Sequence, residues 1–178
     1  LYIDGLPHFK SLKDINISNT RITNFVYNDN PKDLSGNFIR KDYLDLINFN
    51  NLTSIRASNN ILLSEIRFKN DILNPILLEA QSFINCSSIQ RIKGHFSIGG
   101  IDVFKNCSSF KLNDESIYET TLPNEFLEGD SVSNITINTS SLKGVFENCG
   151  TLTYNDFEKI IAKFNSTLIS VEAAFKGC

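Results

Sequence analysis

The chain has 178 residues, 41% of them hydrophobic, and a formal net charge of −3. That balance supports a continuous apolar core and excludes wholesale disorder. It also excludes a general nucleic-acid binder, which carries a basic surplus. No run approaches the roughly 18 apolar residues of a membrane-spanning helix, and the N-terminus lacks the zones of a signal peptide.

In chain order, residues 12–22 place Leu12, Ile15, Ile17 and Ile22 on the template Leu-x-x-Leu-x-Leu-x-x-Asn-x-Leu, with Thr20 at the Asn position. Alternating apolar residues of this kind suit a short strand buried on one face. Residues 28–31 and 34–37 read as loops, and residues 40–48, with Tyr43, Leu44 and Ile47, as a helix. Residues 52–62 repeat the template and carry Asn60 at its Asn position. Residues 63–68 follow too closely for a whole repeat, so they read as a second strand of the same turn or as a competing register. Asn74-Pro75 before Ile76-Leu77-Leu78 reads as a helix start with Pro at the first helical position.

From Phe83 the chain changes character. Phe83-Ile84-Asn85-Cys86-Ser87-Ser88 returns as Phe104-Lys105-Asn106-Cys107-Ser108-Ser109, in degenerate form at Phe126, as Phe146-Glu147-Asn148-Cys149, and as Phe175-Lys176-Gly177-Cys178. The phenylalanines are 21, 22, 20 and 29 residues apart. A near-fixed period of this length marks a solenoid, in which each repeat buries its apolar side chains against its neighbours. Residues 132–142 give the cleanest later copy of the strand template. Phe157, Ile160, Ile161 and Phe164 lie on one face of a helix predicted over 155–165, with Asn155 as N-cap and Glu158 three residues on. That helix accounts for the last, longer interval.

Leu-x-x-Ile-x-Ile strands followed by Ala/Val-Phe-x-x-Cys resemble the BspA-like leucine-rich repeats. The resemblance is good over 83–178 and looser over 1–82. Val132, Ile135, Ile137, Leu142, Phe146 and Cys149 fall on that family's marked positions, and Ala174-Phe175-Lys176-Gly177-Cys178 matches its Ala-Phe-x-Gly-Cys signature. Irregular spacing and Gly129 in place of a Cys depart from it. The resemblance implies a leucine-rich-repeat solenoid of α/β class, with a stacked parallel sheet and short helices or loops opposite. It also implies an extracellular or cell-surface protein used in adhesion and protein binding.

The expectation is therefore one solenoid domain over 1–178, an excerpt of a longer chain whose core column continues past Cys178 onto further repeats. Phe83, Cys86, Phe104, Cys107, Phe146, Cys149, Phe175 and Cys178 are its structural core. The cysteines read either as a buried column of small thiols or as disulfides between consecutive copies, Cys86 with Cys107 and Cys149 with Cys178. Paired Cys-x-x-Cys ligands are missing, so no metal is expected. His8 and His95 lack a nucleophile in motif context, Gly99-Gly100 is a turn rather than a phosphate loop, and Asp42/Asp45 and Asp156/Glu158 read as helix charges. No catalytic residue and no cofactor are expected. Asn-x-Ser/Thr sites at Asn16, Asn51, Asn85, Asn106, Asn134, Asn138 and Asn165 read as a product of an Asn-, Ser- and Thr-rich composition. The candidate binding column is the exposed middle of each strand: Asn16, Arg56, Arg67, Lys93 and Thr136, flanked by Arg91. Its basic stretch from Arg56 to Lys93 suits an acidic protein or a sulfated or sialylated glycan. The competing expectation is a stiff structural segment of a cell-surface or virion fibre.

Overall fold

The computed structural model describes residues 12–21, 25–26, 44–46, 51–67, 73–111, 135–162 and 169–178. Among the described residues nine short strands form two parallel sheets. The first orders β1 (Asp14–Asn16), β4 (Ser54–Arg56), β6 (Ile76–Leu78), β8 (Phe96–Ile98) and β9 (Ile135–Ile137) as β1-β4-β6-β8-β9. The second orders β2 (Phe25–Val26), β3 (Leu44–Asp45), β5 (Glu65–Arg67) and β7 (Arg91–Lys93) as β2-β3-β5-β7. From β4 to β8 the chain alternates between the sheets. Residues 63–68 thus supply a strand of the other sheet: Ile66 is buried between Leu44 and Ile92 in register.

Two predicted helices are strands. Residues 76–78 pair with β4 and β8, and Ile76 and Leu78 are buried opposite Phe96 and Ile98. Three consecutive apolar residues fit either period, and pairing on both sides decides for the strand. Pro75 precedes the first strand residue, where its missing N–H costs no ladder bond. Leu44–Asp45 is β3 and Leu46 beside it is buried; residues 40–43 and 47–48 of the helix predicted there lie outside the described residues. The third predicted helix exists as α1 (Tyr154–Ile161), with different caps. The Thr153 side chain accepts from the Asp156 N–H, and the Asp156 carboxylate accepts from the Thr153 N–H at 2.8 Å, a capping box built two residues earlier than Asn155/Glu158. Residues 163–165 of that prediction lie outside the described set.

Between the sheets the repeated motif forms a column of turns. The N–H groups of Phe83, Phe104 and Phe146 donate to Val103, Val145 and Ala174 carbonyls at 2.9, 2.8 and 2.9 Å. Each donor thus meets the turn that follows, and the copies lie in register. The Phe104 ring stacks on Phe83 at 5.6 Å and on Phe146 at 5.7 Å, and Phe146 stacks on Phe175 at 5.4 Å. The degenerate copy at Phe126 lies outside the described residues, as do residues 112–134 as a whole; beyond them β9 pairs with β8.

Phe104 also meets Phe96 and Phe110, at 6.0 and 4.3 Å, and is fully buried. Because rings above, below and beside it cannot all move in, Phe104→Ala should lower unfolding stability in urea by about 3–5 kcal/mol.

Candidate functional site

The predicted binding residues fall into two groups rather than one column. Asn16 and Arg56 are opposite one another in the first sheet, and Thr136 is opposite Ser97 in the same sheet. Arg67 is opposite Lys93, and Arg91 opposite Glu65, in the second sheet. The single stripe predicted from Arg56 to Lys93 assumed one strand per turn, and the two-sheet cross-section divides it.

Pairing also changes the charge each group offers. Arg56 is bonded to Glu79 one strand away, with both side chains about half exposed. Arg91 is bonded to Glu65, whose side chain is only 7% exposed. Asp45, Arg67 and Lys93 occupy one register row. The residues that precede Arg67 and Lys93, Ile66 and Ile92, are buried. In the first sheet the outer row holds Asp14, Ser54, Leu77, Ser97 and Thr136. There the Ser54 hydroxyl donates to Asp14 at 2.5 Å. Ser97 is buried with an unpartnered Oγ.

The turn column carries a feature the sequence reading missed. Asn19, Asn59, Asn85, Asn106 and Asn148 have φ of 57, 59, 62, 62 and 62°, the left-handed region that Asn tolerates better than other side chains. Each later Asn donates its Nδ2 to the Oδ1 of the one before, at 2.9, 2.8, 2.7 and 2.7 Å. Four residues earlier runs a second left-handed row, Gln81, Asp102, Gly144 and Ala173. At Gly144 (φ +63°) glycine takes the left-handed conformation without strain, and an added Cβ would press on the Asp102 side-chain oxygen. The usable signal was the Asn of Phe-x-Asn-Cys, together with Asn19 and Asn59 at matching distances after their strands. The Asn of the strand template is a different residue: Asn60 is fully buried and donates to Thr20 Oγ1 at 3.2 Å.

The cysteines are free. The thiols of Cys86, Cys107, Cys149 and Cys178 donate to the carbonyls of Ala57, Phe83, Phe104 and Phe146 at 2.9, 2.9, 3.1 and 3.1 Å, each one turn back. The predicted disulfides are therefore not formed, because every thiol is directed at main chain. Burial pushes the Cys86 thiol up to about 11 and raises those of Cys107 and Cys149 further. Burial also raises Cys178, the one exposed member of the column.

On the outer side of the turns, Lys105 meets Glu147 at 2.8 Å, and Lys176 meets the same carboxylate at 3.5 Å. The hydrogen bond from Lys105 holds the Glu147 carboxyl below its ordinary value, and the same bond raises the Lys105 ammonium.

Asn85 and Asn106 spend their side-chain amides in the ladder, and Asn16 Oδ1 accepts the Ser18 N–H at 3.0 Å. Asn51 and Asn138 are exposed. Asn134, Asn165 and His8 lie outside the described residues. Among the described residues no three His, Cys, Asp or Glu side chains are grouped to hold a metal ion. Also among them, no helix is long and apolar enough to cross a membrane. Comparison with protein-family models, with curated proteins and with solved structures gave no match.

Three outcomes follow from these contacts. Arg91→Ala should lower the urea midpoint more than Arg56→Ala, since it takes a guanidinium from the nearly buried Glu65, whereas Arg56→Ala should cost under about 1 kcal/mol. Asn106→Ala should destabilise more than Asn106→Gly, because alanine loses the ladder bonds and also strains at positive φ. The Glu147 ion pair stabilises above the unfolded carboxyl value of about 4.3 and is lost as pH falls through the lower folded value. A urea-midpoint series against pH should accordingly show a steeper acid-side decline for the native chain than for Glu147→Gln.

Proposed function

We propose that the chain is a leucine-rich-repeat solenoid that acts as a non-catalytic binding module, exposed at a cell surface and engaging protein or glycan through an outer strand face. The observation that carries this reading is the in-register stack. Phe, Asn and Cys of successive motif copies each form a continuous column, so residues facing the interior and the turns are committed to holding one copy on the next. Outward strand positions carry no such duty and are free to present a ligand-specific pattern over an extended rigid surface. The parallel sheets, the period of the motif and the resemblance over 83–178 support the same reading.

Of the two outer faces, the second sheet is the better candidate for an anionic partner. Arg56 on the first sheet is already neutralised by Glu79. Arg67 and Lys93 are register neighbours with one acidic position, Asp45, in their row. Two adjacent cations with one adjacent anion leave a local positive excess that a sulfate or carboxylate would relieve.

The test is surface plasmon resonance over immobilised heparin and sialylated glycans at low and physiological salt. The expected result is salt-sensitive binding that Arg67→Glu with Lys93→Glu abolishes and Arg56→Glu leaves intact. Binding that survives the double charge reversal would remove the second sheet as the site. A chain that binds no member of the panel, and no protein from an extracellular-matrix panel, would overturn the function.

A further inference from the structure

We propose that Asn138 is an N-glycosylation site, and that its glycan stands on the outer side of the first sheet. The proposal rests on the extracellular part of the reading above, since a protein meets the sugar donor along the secretory route.

The described Asn-x-Ser/Thr sites separate by what each side chain already does. Asn85 donates its Nδ2 to Asn59 at 2.8 Å and accepts from Asn106 at 2.7 Å, and Asn106 in turn accepts from Asn148 at 2.7 Å. Both are half-buried. A sugar on either nitrogen would have to share the roughly 4.8 Å between stacked turns with a neighbouring amide. Asn16 is exposed, but its Oδ1 holds the Ser18 N–H at 3.0 Å. Asn51 is exposed too, but the hydroxyl of its motif, Thr53 Oγ1, donates to the Lys13 carbonyl at 3.1 Å. In Asn138-Thr139-Ser140 the acceptor and the hydroxyl residue are both exposed. The turn there is held by the middle residue: Thr139 Oγ1 accepts the Ser141 N–H at 3.2 Å.

The place in the fold suits a bulky group. Ile137 pairs with Ile98 and packs against the core, and the Asn138 N–H donates to the Ile98 carbonyl at 2.9 Å. Side chains alternate along a strand, so Asn138 follows Ile137 on the opposite, outer side. The same register puts it beside Gly99, which is exposed and carries no side chain. The space next to Asn138 is therefore open. The following turn is already in place, Ser170 lying opposite Ser141, so Asn138 is exposed within the stack.

The transfer balances without a redox step. Asn138 Nδ2 attacks C1 of the first sugar of a lipid-linked oligosaccharide diphosphate, and the C1–O bond to the diphosphate breaks. The lipid diphosphate leaves with the bonding pair, and Nδ2 gives up one proton. The Ser140 hydroxyl is the part of the motif a transferase reads.

The test is to express the whole chain behind a cleavable secretion leader in a eukaryotic cell and purify it from the medium. Its N-glycans are released with peptide-N-glycosidase in heavy-oxygen water, and the aspartates so formed are mapped by mass spectrometry. Supplying the leader makes the site testable apart from the chain's own localisation. The expected result is a heavy-oxygen label at Asn138, with Asn85 and Asn106 unlabelled. Ser140→Ala, which keeps the asparagine, and Asn138→Gln should each lose that one glycan. Circular dichroism establishes that each variant is folded, and either one serves if the other is not. An unmodified Asn138 in the secreted, folded chain would overturn the proposal, as would a glycan on Asn85 or Asn106. A chain glycosylated at Asn138 that binds nothing in the glycan and matrix panels would remove the binding function and uphold the site.

Discussion

Everything in the stack depends on the chain turning in a left-handed conformation at the same place in every copy. At Asn59, Asn85, Asn106 and Asn148 the main chain adopts φ near 60°. Their N–H groups reach the carbonyls of Ile84, Lys105, Glu147 and Lys176 on the next turn, at 2.7–2.9 Å. A side chain in this region ordinarily costs energy. Asparagine reduces that cost, and here it also returns a side-chain bond to the turn before. The ladder therefore couples a conformational requirement to a register requirement. A turn that slipped by one residue would lose its main-chain bond, its amide bond and its tolerated conformation together. At Gly177 the row ends in glycine with φ of 76°, where a Cβ would collide with the Asn148 side-chain oxygen. Glycine keeps the conformation there and gives up the amide link.

That register determines what the interior can be. With turns held one above another, equivalent side chains stack, and flat rings are the largest groups that stack without leaving voids. Phe83, Phe104, Phe146 and Phe175 do so with interplanar angles of 17, 10 and 19°. Cysteine beside them is small enough to fit between the ring column and the main chain, and its thiol supplies a donor for a carbonyl one turn back. The earlier turns show the same position filled by Thr20 and Asn60. The requirement is thus for a short side chain with a donor, and cysteine meets it where the surroundings are driest. Burial raises the thiols of Cys107 and Cys149 because a thiolate there would lose its solvation. The protonated form is the one that can donate.

The sequence reveals the parts of this fold that recur. Phe, Cys and the alternating strand template were legible because each is repeated, and α1 because its apolar spacing is local, although its capping box at Thr153/Asp156 was read two residues late. The second sheet was harder to see. Its strands have two or three residues, too short to show a period, and only residues 63–68 hinted at it. Residues 76–78 were misread because three apolar residues in a row have no period at all, and only pairing on both sides makes them a strand. The predicted binding column joins residues of both sheets for the same reason: without the second sheet, Arg56 and Lys93 fall on one line. The Asn ladder escaped notice because its residue stands one before the template's Asn60, so the template drew attention to the neighbour that is buried.

The two sheets also differ in how much exchange of charge their ion pairs tolerate. Interior and turn positions are linked copy to copy, so a change in one is felt by the turns on either side. The Arg56–Glu79 and Glu65–Arg91 pairs link only two strands each, and the second is far less exposed than the first. Exchange at the first would disturb little beyond the two side chains involved. Exchange at the second would leave a nearly buried carboxylate without its guanidinium.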